Sequence, residues 1–401
     1  MTISDTVPAT TTVQDEQAYI LQTYIRPDFV LERGEGVYLY DTEGRQYLDF
    51  VAGIAVNALG YGDAEIAQII AEQATRLIHV SNLYHTAPAT SLAKQLLATA
   101  PYFNRVYFSN SGTEAIEACI KFSRKFARTF YGEGKTTIVA FDGSFHGRTM
   151  GSVALTATDK YRLPFMPVMP DVRFARYNDL DSIAAAITDD VCAVVIEPVQ
   201  GEGGLRVASP AFLHAVRDLC DQHRALLVVD EIQCGMGRTG MLWAHQHAQL
   251  RPDLMAIAKP LAGGLPIGAV LLNQCVADAI QPGDHGTTFG GNPLVTAVAQ
   301  AVLRRISDPA FLSHVREVSN YLDESLHDLA ADYPKHILEL RGRGLMRGIK
   351  INGSAAEVRM RGHDVGLLVA TAGADVIRLL PPLIITPQHV DEALAKLRHI
   401  L

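Results

Sequence analysis

The chain has 401 residues, 48% hydrophobic and 19% charged, with a formal net charge of -8. That length predicts more than one domain and a core able to enclose a site, and no uncharged apolar stretch reaches the length of a membrane span. The mixed, slightly acidic charge argues against a nucleic-acid footprint, so small molecules are the expected partners.

Residues 1–16 are Thr-rich, carry no Lys or Arg, and have neither the apolar run of a signal peptide nor the basic face of a transit peptide. They are predicted to be a flexible tail. Between residues 20 and 50, the runs VYLY and QYLDF are set off by the Gly34–Gly36 and Asp41–Gly44 steps, which predicts a small hairpin. Beyond residue 60, short apolar runs (RVYFSN, TTIVAF, AVVIEPV, ALLVVDE, DLMAIA, IGAVLL) alternate with helical stretches. One of these, SPAFLHAVRDLCDQHR, spaces Phe212, Leu213, Val216 and Leu219 along one face. The alternation predicts an α/β domain around a mostly parallel sheet. After residue 292 the pattern becomes α+β: two helices, strands at LMRGIKI and DVIRLLPPLIIT, and a closing helix. The expected division is a large domain over 57–291 and a smaller one assembled from 17–56 and 292–401.

Four places in the α/β part carry chemistry. Ser109 to Glu114 lies between a strand and a helix, where free backbone N–H groups suit a phosphate, although plain helix capping uses the same residues. Asp230 ends an apolar strand, where a carboxylate either faces a ligand crevice or caps the next turn. Lys259 leaves another strand into Pro-Leu-Ala-Gly-Gly, as a nucleophile or as a solvated loop residue. Phe145-His146-Gly147-Arg148 follows TTIVAF, where a lone His is more often a satisfied polar core group than a catalyst. Together, a phosphate seat, an aromatic face, a carboxylate and a lysine are what pyridoxal phosphate requires of a protein.

Competing motifs are weaker. Gly235 to Gly240 spells G-x-G-x-x-G, but late in the chain and after Asp230, where a dinucleotide fingerprint does not belong. Gly134-Lys135-Thr136 lacks the leading glycine of a P-loop, because Thr129 stands there. With no H-E-x-x-H and no Cys/His cluster, no catalytic metal is expected. The five cysteines, Cys119, Cys192, Cys220, Cys234 and Cys275, are odd in number and form no C-x-x-C, which predicts reduced thiols in a cytoplasm.

The stretches LDFVAGIAVNALG, SNSGTEAIEACIKFSRKFA, FHGRTMGSVALT, VVIEPVQGEGG, LLVVDEIQCGMGRTG, AKPLAGGLPIGAVL, HGTTFGGNPL and GADVIRLLPPL resemble the class III aminotransferases over nearly the whole chain. The resemblance implies the type I pyridoxal-phosphate (aspartate-aminotransferase-like) fold. It implies that Lys259 binds the cofactor covalently and moves the proton, and that Asp230 keeps the pyridine nitrogen protonated. Gln233 is implied near the ring hydroxyl, and Phe145 and Ile232 on the ring faces. Ser111, Gly112 and Thr113 would hold the phosphate from one subunit and Thr288 from the other, which makes a homodimer with shared sites. Arg148 is implied to bind a donor carboxylate, with Thr287 nearby from the partner, while Tyr24 and Asn82 line the entrance. Glu202 and Arg378 match a pair in which the glutamate screens the arginine until a dicarboxylate arrives.

The implied reaction moves the terminal amine of an acylated diamine such as N-acetylornithine to 2-oxoglutarate. Ornithine, γ-aminobutyrate, succinyl-diaminopimelate and lysine-pathway intermediates are the alternatives. Ile54 and His146 stand where ornithine-specific members carry Tyr and Trp, which lowers that reading. The chain departs from the family at Tyr61-Gly62-Asp63-Ala64, where His-x-His-Pro is usual, and at Cys234 and Ala262, which replace a common Thr and a Gly.

Overall fold

The computed structural model describes residues 9–401. The apolar runs form a seven-stranded sheet in the order Arg105–Ser109, Gly268–Leu272, Leu254–Ile257, Leu226–Asp230, Val191–Ile196, Thr137–Phe141 and Val172–Ala175. Only Gly268–Leu272 runs antiparallel to its neighbours; the other pairings are parallel. Each residue of the four strands Leu254–Ile257, Leu226–Asp230, Val191–Ile196 and Thr137–Phe141 is buried, as uninterrupted apolar strands covered on both faces must be. Val172–Ala175 was not foreseen. It is an edge strand with only Ala175 buried, so its sequence carries no apolar run.

The covering helices bury one stripe each. Gly112–Tyr131 turns Ala115, Ile116, Cys119, Phe122 and Phe126 inward, and Pro210–His223 turns in Phe212, Leu213, Val216 and Cys220. Cys220 takes the fully buried place expected for Leu219, which is only half-buried.

The two chain ends meet. The strands Leu31–Glu35, Tyr38–Asp41 and Gln46–Asp49 form an antiparallel meander, and Leu367–Leu368 adds to Gln46–Asp49 in parallel. Ile337–Arg343, Met346–Ile351, Val376–Leu379 and Ala370–Thr371 make a separate antiparallel sheet. The stretch DVIRLLPPLIIT is a strand only over Val376–Leu379, because Pro381 and Pro382 have no N–H for a ladder. The expected boundary at residue 292 falls at the start of the helix Pro293–Ile306, which packs on Ala64–Arg76 and Ala87–Thr99.

Of the expected tail, residues 1–8 lie outside the described residues. Ala9–Tyr19 instead forms a helix with no buried side chain, its C-terminal end held by the Glu16–Arg26 ion pair and by Gln22 bonding the Glu16 and Ile20 carbonyls. The G-x-G-x-x-G stretch opens no helix. Residues 235–240 are turns, and the buried Arg238 donates to the carbonyls of Leu345 and Pro381. Among the described residues no helix is long and apolar enough to cross a membrane, and no cluster of His, Cys, Asp or Glu could hold a metal ion.

Candidate active site

Several strands of the large sheet deliver their next residues to one crevice. Asp230 ends Leu226–Asp230, Lys259 follows Leu254–Ile257, Glu197 follows Val191–Ile196, and Phe145 and His146 follow Thr137–Phe141. The carboxyl edge of a parallel sheet is where open α/β folds bind ligands. A cavity of about 380 Å³ opens there, and its wall includes Ser111, Gly112, Thr113, Phe145, Arg148, Glu202, Asp230, Ile232, Gln233 and Lys259.

The floor is a buried acid-base cluster. Asp230 Oδ2 accepts from His146 Nδ1 at 2.8 Å, and Oδ1 accepts the Ile232 N–H at 3.0 Å. Burial disfavours a charge on His146, but the hydrogen bond and charge of Asp230, with the charge of Glu197, outweigh it and raise its pKa above the ordinary value. The other ring nitrogen, Nε2, is buried without a hydrogen-bond partner. Glu197 accepts the N–H groups of Phe145 and Gly201 at 3.0 and 3.1 Å, and so ties the two loops flanking the cavity. Its pKa is pushed up by burial, with His146 pulling it down and Asp230 adding to the rise. Neither His146 nor Glu197 had been assigned a role from the sequence. Their signals were present in Phe-His-Gly-Arg and Val-Ile-Glu-Pro, but burial and pairing are tertiary facts.

The opposite end is a helix N-terminus. Ser111 caps the helix Gly112–Tyr131 by accepting from the Glu114 N–H, and the Glu114 carboxylate accepts the Asn110 N–H at 2.6 Å. The first N–H groups of the helix have no intrahelical acceptor and carry its positive end. A Cβ at Gly112 would lie 2.9 Å from Ile232 Cδ1, so the glycine is what lets Ile232 close over this end. The Thr113 hydroxyl is already engaged, accepting the N–H groups of Arg148 and Thr149 and bonding the Thr149 hydroxyl at 2.8 Å. Only its backbone remains for an anion.

Lys259 sits between these two ends with a left-handed backbone, φ 33°, a conformation non-glycine residues adopt rarely and often at functional sites. Burial lowers its ammonium pKa, with Asp230 opposing and Arg378 adding to the fall. That favours the neutral amine, the form that attacks carbonyls and accepts protons.

Behind the lysine, Arg378 is almost fully buried, 2.7 Å from Glu202 Oε1 and 3.2 Å from Gln233 Oε1, and its Nε has no partner. Gln233 therefore meets Arg378 as well as the cavity. The remaining expected residues do not line the cavity in this subunit. Asn82 donates to the carbonyls of Thr287 and Gly290, both at 3.0 Å, and Asn110 donates to the Thr287 hydroxyl at 2.9 Å. Thr288 points to solvent on the same loop, and Tyr24 is exposed under Arg26.

The departure at residues 61–63 also finds its place. The Tyr61 hydroxyl donates to the buried Asp49 at 2.6 Å, and Asp49 accepts the N–H groups of Val51 and Ala52. That carboxylate holds a run of left-handed residues, Ala52, Gly53, Ile54 and Ala55, which costs about 1–2 kcal/mol per non-glycine residue and leads into Val56 on the cavity wall. Asp63 caps the helix Ala64–Arg76 and pairs with Arg305.

The Aminotransferase class-III family model matches residues 21–401. The mitochondrial acetylornithine aminotransferase of Alnus glutinosa is 50% identical over 379 residues, 93% of this chain and 84% of its own. The chain belongs to the class III aminotransferases. Among solved structures, the Toxoplasma gondii ornithine aminotransferase matches with a TM-score of 0.94 at 29% identity, covering 98% of this chain and 94% of that one. The N-acetylornithine aminotransferase of Stenotrophomonas maltophilia matches with 0.84 at 38% identity, covering 97% and 98%. The expected type I fold is therefore the observed one.

Class III aminotransferases depend on pyridoxal 5′-phosphate, and the donor set of this cavity fits it. The unpartnered N–H groups at the start of Gly112–Tyr131 suit the phosphate, and the Asp230 carboxylate, backed by His146, suits the ring nitrogen. Phe145 and Ile232 would face the ring, Gln233 its hydroxyl, and the Lys259 amine its carbonyl carbon. When bound, the cofactor supplies an electron sink for the charge left on carbon when a proton departs. Lys259, as a buried amine beside that position, would be the group to hold and move the proton. His146 fixes the orientation of the Asp230 carboxylate throughout.

Proposed function

We propose that this class III aminotransferase moves the terminal amino group of N-acetylornithine, or a similar acylated diamine, to 2-oxoglutarate, giving the semialdehyde and glutamate. The observation that carries the reading is the Glu202–Arg378 pair, 2.7 Å apart, with Glu202 on the cavity wall, together with an Arg148 on the same wall that has no acidic partner among the described residues. A donor reacting at its far end brings an uncharged chain past Arg378, and Glu202 neutralises the arginine during that half-reaction. Glutamate and 2-oxoglutarate carry a second carboxylate, which displaces Glu202 and takes the planar fork of Arg378. Arg148 receives the remaining carboxylate in both halves. Relatives named for acetylornithine support this donor.

In this reading the active unit is a homodimer. Thr288 reaches the phosphate of the facing subunit, Thr287 approaches the donor there, and Tyr24 and Asn82 line the entrance. Support comes from Asn82 and Asn110 gripping a loop that contributes nothing to the cavity of its own subunit, and from exposed Leu83, Tyr84 and Phe289 beside it. A cytoplasmic location accords with five free cysteines, of which Cys275 alone is exposed. The test is a donor panel at fixed 2-oxoglutarate: N-acetylornithine, N-succinylornithine, ornithine, γ-aminobutyrate and succinyl-diaminopimelate, ranked by kcat/KM. N-acetylornithine is expected first; ornithine in that place would replace the reading.

A further inference from the structure

Arg148 is exposed and has no carboxylate partner among the described residues, yet its guanidinium carbon lies 3.6 Å from the ring centroid of Tyr161. Phe145 stands on another side, with the same guanidinium 5.5 Å from its centroid and the two aromatic rings edge to face at 6.0 Å. Tyr161 belongs to the short helical turn Asp159–Arg162, which follows the Arg148 segment, and its hydroxyl makes no hydrogen bond among the described residues. Lys160 also approaches the ring, at 4.8 Å. The backbone of Arg148 is fixed separately, its N–H donating to Thr113 Oγ1 at 3.2 Å.

A guanidinium that must capture a carboxylate needs two properties that conflict. It must be held still, and its N–H fork must stay unused. An ion pair would hold it but occupy the fork, as Glu202 does to Arg378. An aromatic face holds the plane of the cation by its quadrupole and leaves the edge N–H groups free.

We propose that Tyr161 is a positioning residue for substrate carboxylates: its ring presents the Arg148 fork to the carboxylate that both the amino donor and the dicarboxylate place there. The inference rests on the reading of Arg148 given above. The hydroxyl has no part in it, so the ring alone must suffice. Among the described residues no hydrogen bond or ring contact joins Tyr161 to Lys259, Asp230 or His146, so its loss weakens binding of carboxylates and leaves the proton-moving groups in place.

The experiment uses the holoenzyme and titrates glutarate, an unreactive five-carbon dicarboxylate, against the visible spectrum of the bound cofactor, for the parent, Tyr161→Leu, Tyr161→Phe, Arg148→Ala and the Arg148→Ala/Tyr161→Leu double variant. Tyr161→Leu is expected to weaken glutarate about fivefold, to raise KM for the amino donor by a similar factor with kcat retained, and to leave the cofactor dissociation constant unchanged. Tyr161→Phe should bind glutarate as the parent does. In the Arg148→Ala background, Tyr161→Leu should add nothing, since a residue acting through Arg148 has no effect without it. Parent-like glutarate binding by Tyr161→Leu, an equal loss in Tyr161→Phe, or full additivity in the double variant would each overturn the proposal. Because glutarate is not a donor, these outcomes are independent of whether N-acetylornithine heads the panel. If Arg148→Ala itself binds glutarate normally, it is the underlying reading of Arg148 that fails.

Discussion

The family resemblance assigns both Asp230 and Thr288 to cofactor binding, Thr288 across the dimer, yet they occupy opposite kinds of environment. Asp230 is 3% exposed, bonded to His146 and to a backbone N–H, at the end of a fully buried strand. Thr288 lies in solvent on a loop tied down through its neighbours Thr287 and Gly290. The cavity wall is finished within one chain, whereas the rim is held in shape but directed away from it. In the proposed dimer, the rigid, paired groups would carry the electronics of the reaction, and Thr288 and its neighbours would complete the phosphate seat of a second subunit.

The largest effect should come from the wall. Asp230→Asn keeps the shape of the cluster but removes the charge behind the ring nitrogen, and activity should fall on the order of a hundredfold without reordering the donor panel. Steady-state rates for two donors test both parts. A reordered panel would mean that the wall also selects substrates.

Between wall and rim stands the Glu202–Arg378 pair. Glu202→Ala leaves a buried guanidinium beside the uncharged chain of the diamine, which is costly, and frees it for dicarboxylates. The preference for glutamate over N-acetylornithine should rise about tenfold, equivalent to about 1.4 kcal/mol. Single-turnover rates for each half-reaction, followed through the cofactor spectrum, measure it. Equal losses in both halves would make Glu202 structural.

At the rim, Thr288→Ala should weaken cofactor binding about tenfold, the value of one charge-assisted hydrogen bond, while spectra of the loaded enzyme stay unchanged. If the loop serves the facing subunit, dilution of the parent below its dimer dissociation constant should reproduce the loss. Sedimentation that finds a fully active monomer would remove the distinction between wall and rim.

The wall was largely legible in the sequence, and the rim only through resemblance. Asp230 and Lys259 end or follow apolar strands, and Ser111 to Thr113 open a helix, so their side of the sheet follows from pattern. His146 and Glu197 were not, because their pairing depends on strands far apart in the chain coming to lie side by side. Tyr161 was invisible for a related reason: it stacks on Arg148 from a four-residue turn with no periodicity. Val172–Ala175 and the shortened strand at Val376–Leu379 show the same limit, since edge position and proline placement override an apolar count.

The smallest effect lies outside both regions and serves as a control for stability. Asp190 joins adjacent strands by accepting from Thr137, Thr188 and Arg173. The hydrogen bonds from Thr137 and Thr188, aided by the charge of Arg173 and opposed by burial, lower its pKa to about 2. A carboxylate depressed in the folded state stabilises above its unfolded pKa of about 3.9, and that contribution is lost as pH falls toward 2. Parent and Asp190→Asn should therefore differ in Tm at pH 6 and converge by pH 2, with activity at pH 7 alike. A constant difference across that range would mean that the contact acts by shape and not by charge.

Lys259 is the residue through which the proposed cofactor attachment is tested most directly. Treatment of the pyridoxal-phosphate-loaded protein with borohydride, followed by peptide mass mapping, should find the reduced cofactor on the peptide containing Lys259, with loss of the absorbance near the visible edge. Lys259→Ala should bind cofactor without acquiring the label. A label on any other lysine, or none on the parent protein, would contradict the assignment.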